Sequence, residues 1–374
     1  MDLLELRARI DAIDEQIVEL YEKRMDISRQ VAEYKVSAGK KVFDRQREAQ
    51  KLEKVKSLTH NGFNAQGIVE LFEQIISMSR KLQYQLLAES GNLGRLPFTE
   101  MDGLETKKAR VVFQGAEGAY SQEAMMQYFG DGITSFHVET FRDAMDAIDE
   151  GSADFAVLPI ENSTAGIVNE IYDLLQEYEN YIVGEQIIRI EHCLLGVPGA
   201  QLSDIRTVYS HPQSLMQSSR YLAGHDWQQV SLQNNAFAAK KVAGDRDKAQ
   251  AAVASKHAGE VYGLEVLAKG VNNSGDNSTR FIIVTNRKIF RQDAGKISIC
   301  FEVPHESGSL YRMLSHFIYN NLNMTKIESR PIEGRNWEYR FFVDFEGNLA
   351  DSAVKNALRG IRDEARSMKI LGNY

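Results

Sequence analysis

Arg24 stands in a row of hydrophobes. Leu3, Leu6, Ile10, Ile13, Ile17, Leu20, Arg24, Ile27, Val31 and Tyr34 recur at alternating steps of three and four, a heptad seam that predicts one long helix. A guanidinium in such a seam is costly unless it meets an anion, whether a structural Glu or Asp or a ligand. A later apolar face, built from Ile68, Leu71, Phe72, Ile75, Leu82 and Leu86, is broken in the same way by Ser79 and Gln83, one helical turn apart. Together with Lys35 and Arg47, these groups could line one polar cavity inside a helical bundle.

A second chemical stretch runs from Ala153 to Glu170. Phe155 to Ile160 is an apolar run too short for a helix, and Pro159 near its end cannot donate to a ladder, so a buried strand is about to stop there. Glu161, Asn162, Ser163 and Thr164 follow, just before the helical spacing of Ile167, Ile171, Leu174 and Leu175. A polar turn between a strand and the N-terminus of a helix is where anionic ligands settle in α/β sheets. A well-capped loop is the plainer alternative. Three more polar turns invite the same comparison: Ser210 to Gln217, Ala254 to Gly263, and Asn277 to Phe281, which contains Thr279 and Arg280. Each is equally readable as caps and turns, and His211, before Pro212, reads as a cap or packing residue.

The elements that must position these groups follow from pattern. At 374 residues the chain needs two or three domains, and 43% apolar with 26% charged residues is the make-up of folded, soluble protein. A formal charge of -8 argues against nucleic-acid partners. Cys193 and Cys300 each sit in an apolar run and read as reduced core residues. The first twenty residues form an amphipathic helix bearing Asp2, Glu5, Asp11, Asp14 and Glu15, unlike any signal or transit peptide. No apolar run has membrane-spanning length, so a cytoplasmic protein is expected.

Gly39 ends the first helix, Asp44 can cap a second through Arg47, Glu48, Leu52 and Val55, and a third starts near Ala65. This gives a helical segment over 1–89, followed by a linker of loop composition over 90–108. Over 109–287 short strands are expected near 133–137, 154–159, 182–196, 205–209, 228–232, 250–254 and 279–285, with helices between several of them. That alternation predicts an α/β domain of two lobes with a cleft. Over 296–374 the order β-α-β-β-α-β marks a ferredoxin-like α+β unit without an acid/base cluster. Arg7 and Lys35 share one stripe of the first helix but lie about 42 Å apart. One straight helix cannot bring both to one small ligand, so if Arg7 contributes it must reach a site on another subunit, which predicts an intertwined dimer.

Leu-Leu-Glu-Leu-Arg7, Glu-Lys-Arg24, Tyr-Lys35, Asp44-Arg-Gln-Arg47-Glu48 and Ser79-Arg-Lys-Leu-Gln83 resemble the active-site pattern of the all-helical chorismate mutases. The resemblance implies chorismate as substrate and a two-fold dimer with shared sites. Arg7 of the partner, Arg24 and Arg47 would hold carboxylates; Lys35 and Gln83 would meet the ether oxygen; Asp44, Glu48 and Ser79 would contact the ring hydroxyl or fix the pocket. Gln114-Gly…Ser121, Pro159-Ile-Glu-Asn162-Ser163…Gly166, Ser210-His-Pro-Gln…Gln217 and Thr279-Arg280-Phe281 resemble the prephenate dehydratases. That family implies a periplasmic-binding-protein-like domain and loss of water and carbon dioxide from prephenate. Thr279 would donate to the departing hydroxyl, Asn162, Ser163, Ser210 and Gln217 would be amide and hydroxyl partners, and Arg280 a carboxylate clamp. Ala116, Ser218 and Asn235-Ala-Phe-Ala depart from the commoner forms without removing any of those groups.

Gly308-Ser309-Leu310 and Glu328-Ser329-Arg330-Pro331 resemble the phenylalanine-sensing ACT domains attached to such dehydratases, with Ser309 replacing the usual alanine. The expectation is a multidomain enzyme without metal or organic cofactor, inhibited by L-phenylalanine, a homodimer or a higher oligomer. A ligand-responsive binding or regulatory protein is the rival.

Overall fold

Three helices open the computed structural model, which describes residues 2–89, 96–130 and 132–374: α1 (Leu3–Ser37), α2 (Arg45–Ser57) and α3 (Gly62–Glu89). α1 ends where Gly39 takes a φ of +62°, a conformation that costs glycine little. Asp44 caps α2 by accepting from the Arg47 N–H at 3.0 Å. α3 begins before the start predicted near Ala65, because Asn61 already caps it through the Asn64 N–H at 2.8 Å.

The heptad seam of α1 is not buried within the chain. Ile10, Ile13 and Leu20 are 56%, 56% and 65% exposed, whereas Ser28 and Ala32 are buried. The packing of α1 on α3 is made where Arg24 and Ser28 reach Ser79. The apolar stripe from Leu3 to Leu20 therefore stays uncovered.

The next segment alternates strands and helices: β1 (Thr99–Met101), β2 (Arg110–Gln114), α4 (Tyr120–Phe129), β3 (Thr134–Val138), α5 (Phe141–Asp149), β4 (Phe155–Asn162), β5 (Gly166–Ile167), α6 (Asn169–Glu177), β6 (Tyr181–Arg189), β7 (Cys193–Gly196), β8 (Thr207–Ser210), α7 (Pro212–Gln217), α8 (Ser219–Leu222), β9 (Gln228–Ser231), α9 (Asn235–Asp245), β10 (Gln250–Ala254), α10 (Lys256–Tyr262), β11 (Glu265–Ala268), β12 (Ser278–Thr285) and β13 (Ile289–Arg291). One lobe holds neighbouring strands in the order β6-β12-β4-β2-β3; the other holds β11-β7-β10-β8-β9. Val111, Phe113, Phe155, Val157 and Ile283 centre the first core. Leu195, Ala239, Val242 and Ala252 belong to the second.

Two expectations change here. The run 182–196 splits into β6 and β7, because the chain leaves one sheet and enters the other. The expected linker lies outside the described residues over 90–95, but Thr99–Met101 is a strand, paired in parallel with β13.

The last segment comprises β14 (Lys296–Glu302), α11 (Ser309–Tyr319), β15 (Met324–Ile332), β16 (Arg335–Glu346), α12 (Ser352–Glu364) and β17 (Ser367–Asn373). Residues 1–98 and 301–368 form one compact unit, and 99–300 with 369–374 form a second. Within the first unit, α12 packs on α3: Tyr84 donates to Asp363, and the Arg359 guanidinium lies 5.8 Å from the Tyr84 ring centre. Both cysteines are buried, and no helix among the described residues is long and apolar enough to cross a membrane.

In the second unit Gly372 pairs with Ile182 of β6, and a Cβ there would lie 2.1 Å from the Ile182 carbonyl oxygen. Backbone cannot give way as a side chain can. Gly372→Ala is expected to cost about 2 kcal/mol, as other overpacking substitutions do, and calorimetry should show a lowered unfolding midpoint; an unchanged midpoint would contradict the packing described.

Candidate active sites

The helical site assembles where α1 meets α3 and where the turn before α2 folds back. Arg24 donates through Nη1 to Ser79 Oγ at 2.6 Å and lies 3.5 Å from the Ile75 carbonyl, while Ser28 Oγ joins Ser79 at 3.2 Å. Its contacts are thus hydroxyls and a carbonyl; burial lowers its pKa from the ordinary value. Lys35 Nζ donates to the Val42 carbonyl at 2.6 Å, with burial lowering its pKa and Asp44 and Glu48 opposing that effect. Glu48 is shifted upward by burial and pulled back by Arg80 and Lys35. Gln83 is buried, and no partner among the described residues meets its Oε1. An orphaned acceptor of this kind costs about 1–3 kcal/mol unless a ligand or water meets it.

Arg24 with Ser79 and Lys35 with Asp44 and Glu48 are thus brought into two polar groups. Arg47 is not gathered with them by its side chain, which is exposed; only its backbone N–H is engaged, by Asp44. Arg7 is exposed on the uncovered stretch of α1.

In the two-lobed unit a cavity of about 280 Å³ opens between the lobes, lined among others by Asn162, His192, His211, Gln217, Thr279 and Phe281. Its geometry is set by strand register. β12 runs antiparallel to β4 with Thr279 opposite Asn162. Asn162 Nδ2 donates to Thr279 Oγ1 at 2.9 Å and to Asn277 Oδ1 at 2.8 Å. Its Oδ1 accepts from the Thr164 and Ala165 N–H groups at 3.0 and 2.9 Å. Asn162 thus shapes the turn and feeds a hydrogen bond into the threonine oxygen, leaving the Thr279 O–H hydrogen available to the cavity.

From the other lobe, Gln217 Nε2 donates to Thr164 Oγ1 at 2.7 Å. Its Oε1 lies 3.2 Å from His192 Nε2, and His192 Nδ1 lies 3.0 Å from the Tyr120 hydroxyl. These contacts agree when His192 Nε2–H donates to Gln217 and Nδ1 accepts from Tyr120. His192 is almost fully buried, and burial depresses its pKa to about 4, so at neutral pH it is an uncharged strut. Neither His192 nor Tyr120 emerged from sequence; the break between β6 and β7 is what turns His192 inward.

Three of the expected groups are engaged by the protein itself. Arg280 lies on the opposite face of β12 from Thr279, as strand alternation requires. There its Nη2 meets Glu161 at 3.1 Å and its Nη1 meets Glu185 at 3.3 Å, so it is occupied rather than clamping a ligand. Ser210 is fully buried and donates to the Val253 carbonyl at 2.6 Å, behind the cavity wall. Ser163 uses its hydroxyl to hold the turn at Asp276 and Ser278. His211 caps α7, accepting from the Gln213 N–H at 3.2 Å.

In the carboxyl-terminal segment Gly308 takes a φ of +74° before α11, and Ser309 Oγ reaches the Pro304 and Glu306 carbonyls, each at 2.7 Å. A cavity of about 270 Å³ beside Gly308, Ser309 and Leu310 is completed by Trp337, Tyr339 and Phe341. Glu328, Ser329, Arg330 and Pro331 lie on β15 and pair with Phe342, Phe341, Arg340 and Tyr339 of β16.

Residues 111–289 match the family described as Prephenate dehydratase, and residues 6–84 match Chorismate mutase type II. A bifunctional chorismate mutase/prephenate dehydratase of Escherichia coli (strain K12) is 35% identical over 381 residues, covering 100% of this chain and 96% of its own. A solved prephenate dehydratase from Arthrobacter aurescens, in complex with L-Phe, has a TM-score of 0.66 and 29% identity and covers 71% of this chain and 89% of its own. A structure described as GqqA, a novel type of quorum quenching acylase, also has a TM-score of 0.66, with 35% identity and coverage of 71% and 97%.

Because an unfolded histidine takes up its proton near pH 6.5 and buried His192 only near 4, the folded state loses stability as pH falls through that window. The loss is expected to total about 3 kcal/mol. Denaturant titrations of His192→Gln from pH 7 to 4 should show a flatter acid decline than wild type; parallel curves would contradict this.

Proposed function

The chain belongs to the family of bifunctional chorismate mutase/prephenate dehydratases, and from that membership we propose which side chains perform each half of its work. The enzyme rearranges chorismate to prephenate and then converts prephenate to phenylpyruvate with loss of water and carbon dioxide. That membership displaces the rival reading of a binding protein.

The first reaction is pericyclic, so its catalyst needs a compact bound conformer and charge stabilised at the breaking ether. Lys35 and Gln83 meet the ether oxygen; Arg24 and Arg47 hold carboxylates; Asp44, Glu48 and Ser79 hold the ring hydroxyl or the pocket. The ether oxygen is an acceptor, so Gln83 meets it through Nε2–H, and the burial of Gln83 one turn after Ser79 supports this reading. Arg7 arrives from a second chain, and the uncovered apolar stripe of α1 supports a homodimer of interdigitated helices.

In the second reaction the observation that carries the reading is the Asn162–Thr279 bond. Decarboxylation sends its electron pair into the ring and expels hydroxide from the opposite carbon. Thr279 donates its O–H hydrogen to that leaving oxygen, while the Asn162 amide stabilises the threonine oxygen as it gives up the hydrogen. Gln217 and Asn162 tie the lobes around the substrate.

The modules are 1–89, 109–287 and 296–374, and the last is an ACT domain that senses L-phenylalanine. The cavity beside Gly308, Ser309 and Leu310 supports that role. Glu328, Ser329, Arg330 and Pro331 on β15 complete the effector site across a dimer of that segment. The enzyme works in the cytoplasm.

Supplied with chorismate, Thr279→Ala should accumulate prephenate, and Lys35→Ala should leave chorismate untouched while still consuming added prephenate. Each loss is expected to be about 10²–10³-fold in kcat; equal damage to both reactions in either variant would refute the assignment. Titration of the whole protein with L-phenylalanine should give a saturable heat signal, and a flat isotherm would remove the sensing role.

A further inference from the structure

Ser79 is followed on α3 by a second anomaly, Arg80, which is buried. Its Nη1 lies 3.3 Å from Glu48 of α2 and 2.7 Å from Glu364 of α12. Glu364 Oε1 in turn faces His316 Nε2 of α11 at 3.0 Å. The ring of Phe43 lies under the guanidinium, 5.1 Å away. All these groups belong to one compact unit. A cavity of about 510 Å³ runs alongside, with Glu48, Arg80, Glu364 and Ser309 in its lining.

A hydrophobe would pack α3 on α12 at no electrostatic cost, because a buried ion pair seldom outperforms well-packed apolar groups. What the guanidinium supplies instead is direction. It fixes one carboxylate belonging to the helical site and divides its attraction between that carboxylate and another from the carboxyl-terminal segment. We propose that Arg80 is a positioning residue for the mutase reaction, orienting the Glu48 carboxylate toward substrate, and that Glu364 competes with Glu48 for its guanidinium. The proposal rests on the assignment of Glu48 to the mutase site.

The charged groups acting on Glu48 are Arg80 from α3, Lys35 from α1, Asp44 at the cap of α2 and Glu364 from α12, with His316 of α11 behind Glu364. Burial, Glu364 and Asp44 favour the protonated carboxyl; Arg80 and Lys35 favour the carboxylate. The two substitutions therefore have opposite signs. Arg80→Gln should lower mutase kcat/KM by about 10- to 100-fold, as misplacement of a contact group does. It should also move the acidic limb of the pH profile up by about one unit. Glu364→Gln should move that limb down. Arg80→Lys should hold the limb near its wild-type position, because the positive charge between Glu48 and Glu364 is kept.

The experiment is the mutase pH profile of full-length Glu48→Gln, Arg80→Gln, Arg80→Lys and Glu364→Gln, with dehydratase turnover of each preparation as the check on folding. If Glu48→Gln keeps full mutase activity, the assignment of Glu48 fails. If Glu48→Gln is crippled while Arg80→Gln leaves rate and limb unmoved, the positioning role fails. Shifts of the same sign in Arg80→Gln and Glu364→Gln would overturn the competition.

Discussion

The two-lobed unit depends on a single cross-strand register, Thr279 of β12 opposite Asn162 of β4. Slipping that register by one residue would turn Thr279 out of the cavity and put Arg280 in its place. Register is held by the buried alternation of Phe281, Ile283, Val157 and Phe155 on one face. It is held on the other face by Arg280 between Glu161 and Glu185. The ion pairs that disqualify Arg280 as a ligand clamp are thus part of what keeps Thr279 aimed. Asn162 adds the last constraint, since its one side chain satisfies the turn after β4 and the hydroxyl opposite.

The helical site obeys the same requirement that buried polar groups find partners, but leaves it partly unmet. Arg24, Ser28 and Ser79 satisfy one another, whereas among the described residues Gln83 Oε1 has no partner and the apolar stripe of α1 has no cover. A cavity walled on both sides in the two-lobed unit and an incomplete polar pocket in the helical segment have a physical cause. The first is built between two lobes of the same unit. The second lies along a helix whose length, about 52 Å, exceeds what its own neighbours can cover.

Much of this was legible because local chemistry marks local structure. Heptad steps, the Asp44 cap and Gly39 delimit α1 and α2 to within a residue or two, and Pro159 followed by four polar residues marks the end of β4. The misreadings have separate reasons. Adjacent Thr279 and Arg280 cannot both face one cavity in a strand, a signal available in the sequence and overridden by the resemblance. Ser210 looks identical whether its hydroxyl points into a cleft or, as here, at Val253. His192 had no local signal, because the run from Tyr181 to Gly196 is continuously strand-like and only the change of sheet interrupts it. Arg80 is a plain charge on a helix until α12, distant in sequence, supplies Glu364.

The two sites also differ in charge, and the difference suits the reactions proposed for them. In the rearrangement both carboxylates of the substrate persist, so guanidinium and ammonium groups can grip them throughout without opposing the chemistry. In the second reaction one carboxylate must leave as neutral carbon dioxide, and a cation held tightly to it would stabilise the ground state more than the transition state. The described lining of the cavity around Thr279 consists of amides, hydroxyls, histidines and apolar groups. Arg280, the nearest guanidinium in sequence, is engaged with two glutamates on the other face, and burial keeps His192 uncharged at neutral pH. Donors without net charge can assist a departing hydroxide while leaving the departing carboxylate unanchored, and this is why the absence of Arg280 from the cavity agrees with the reaction better than its presence would.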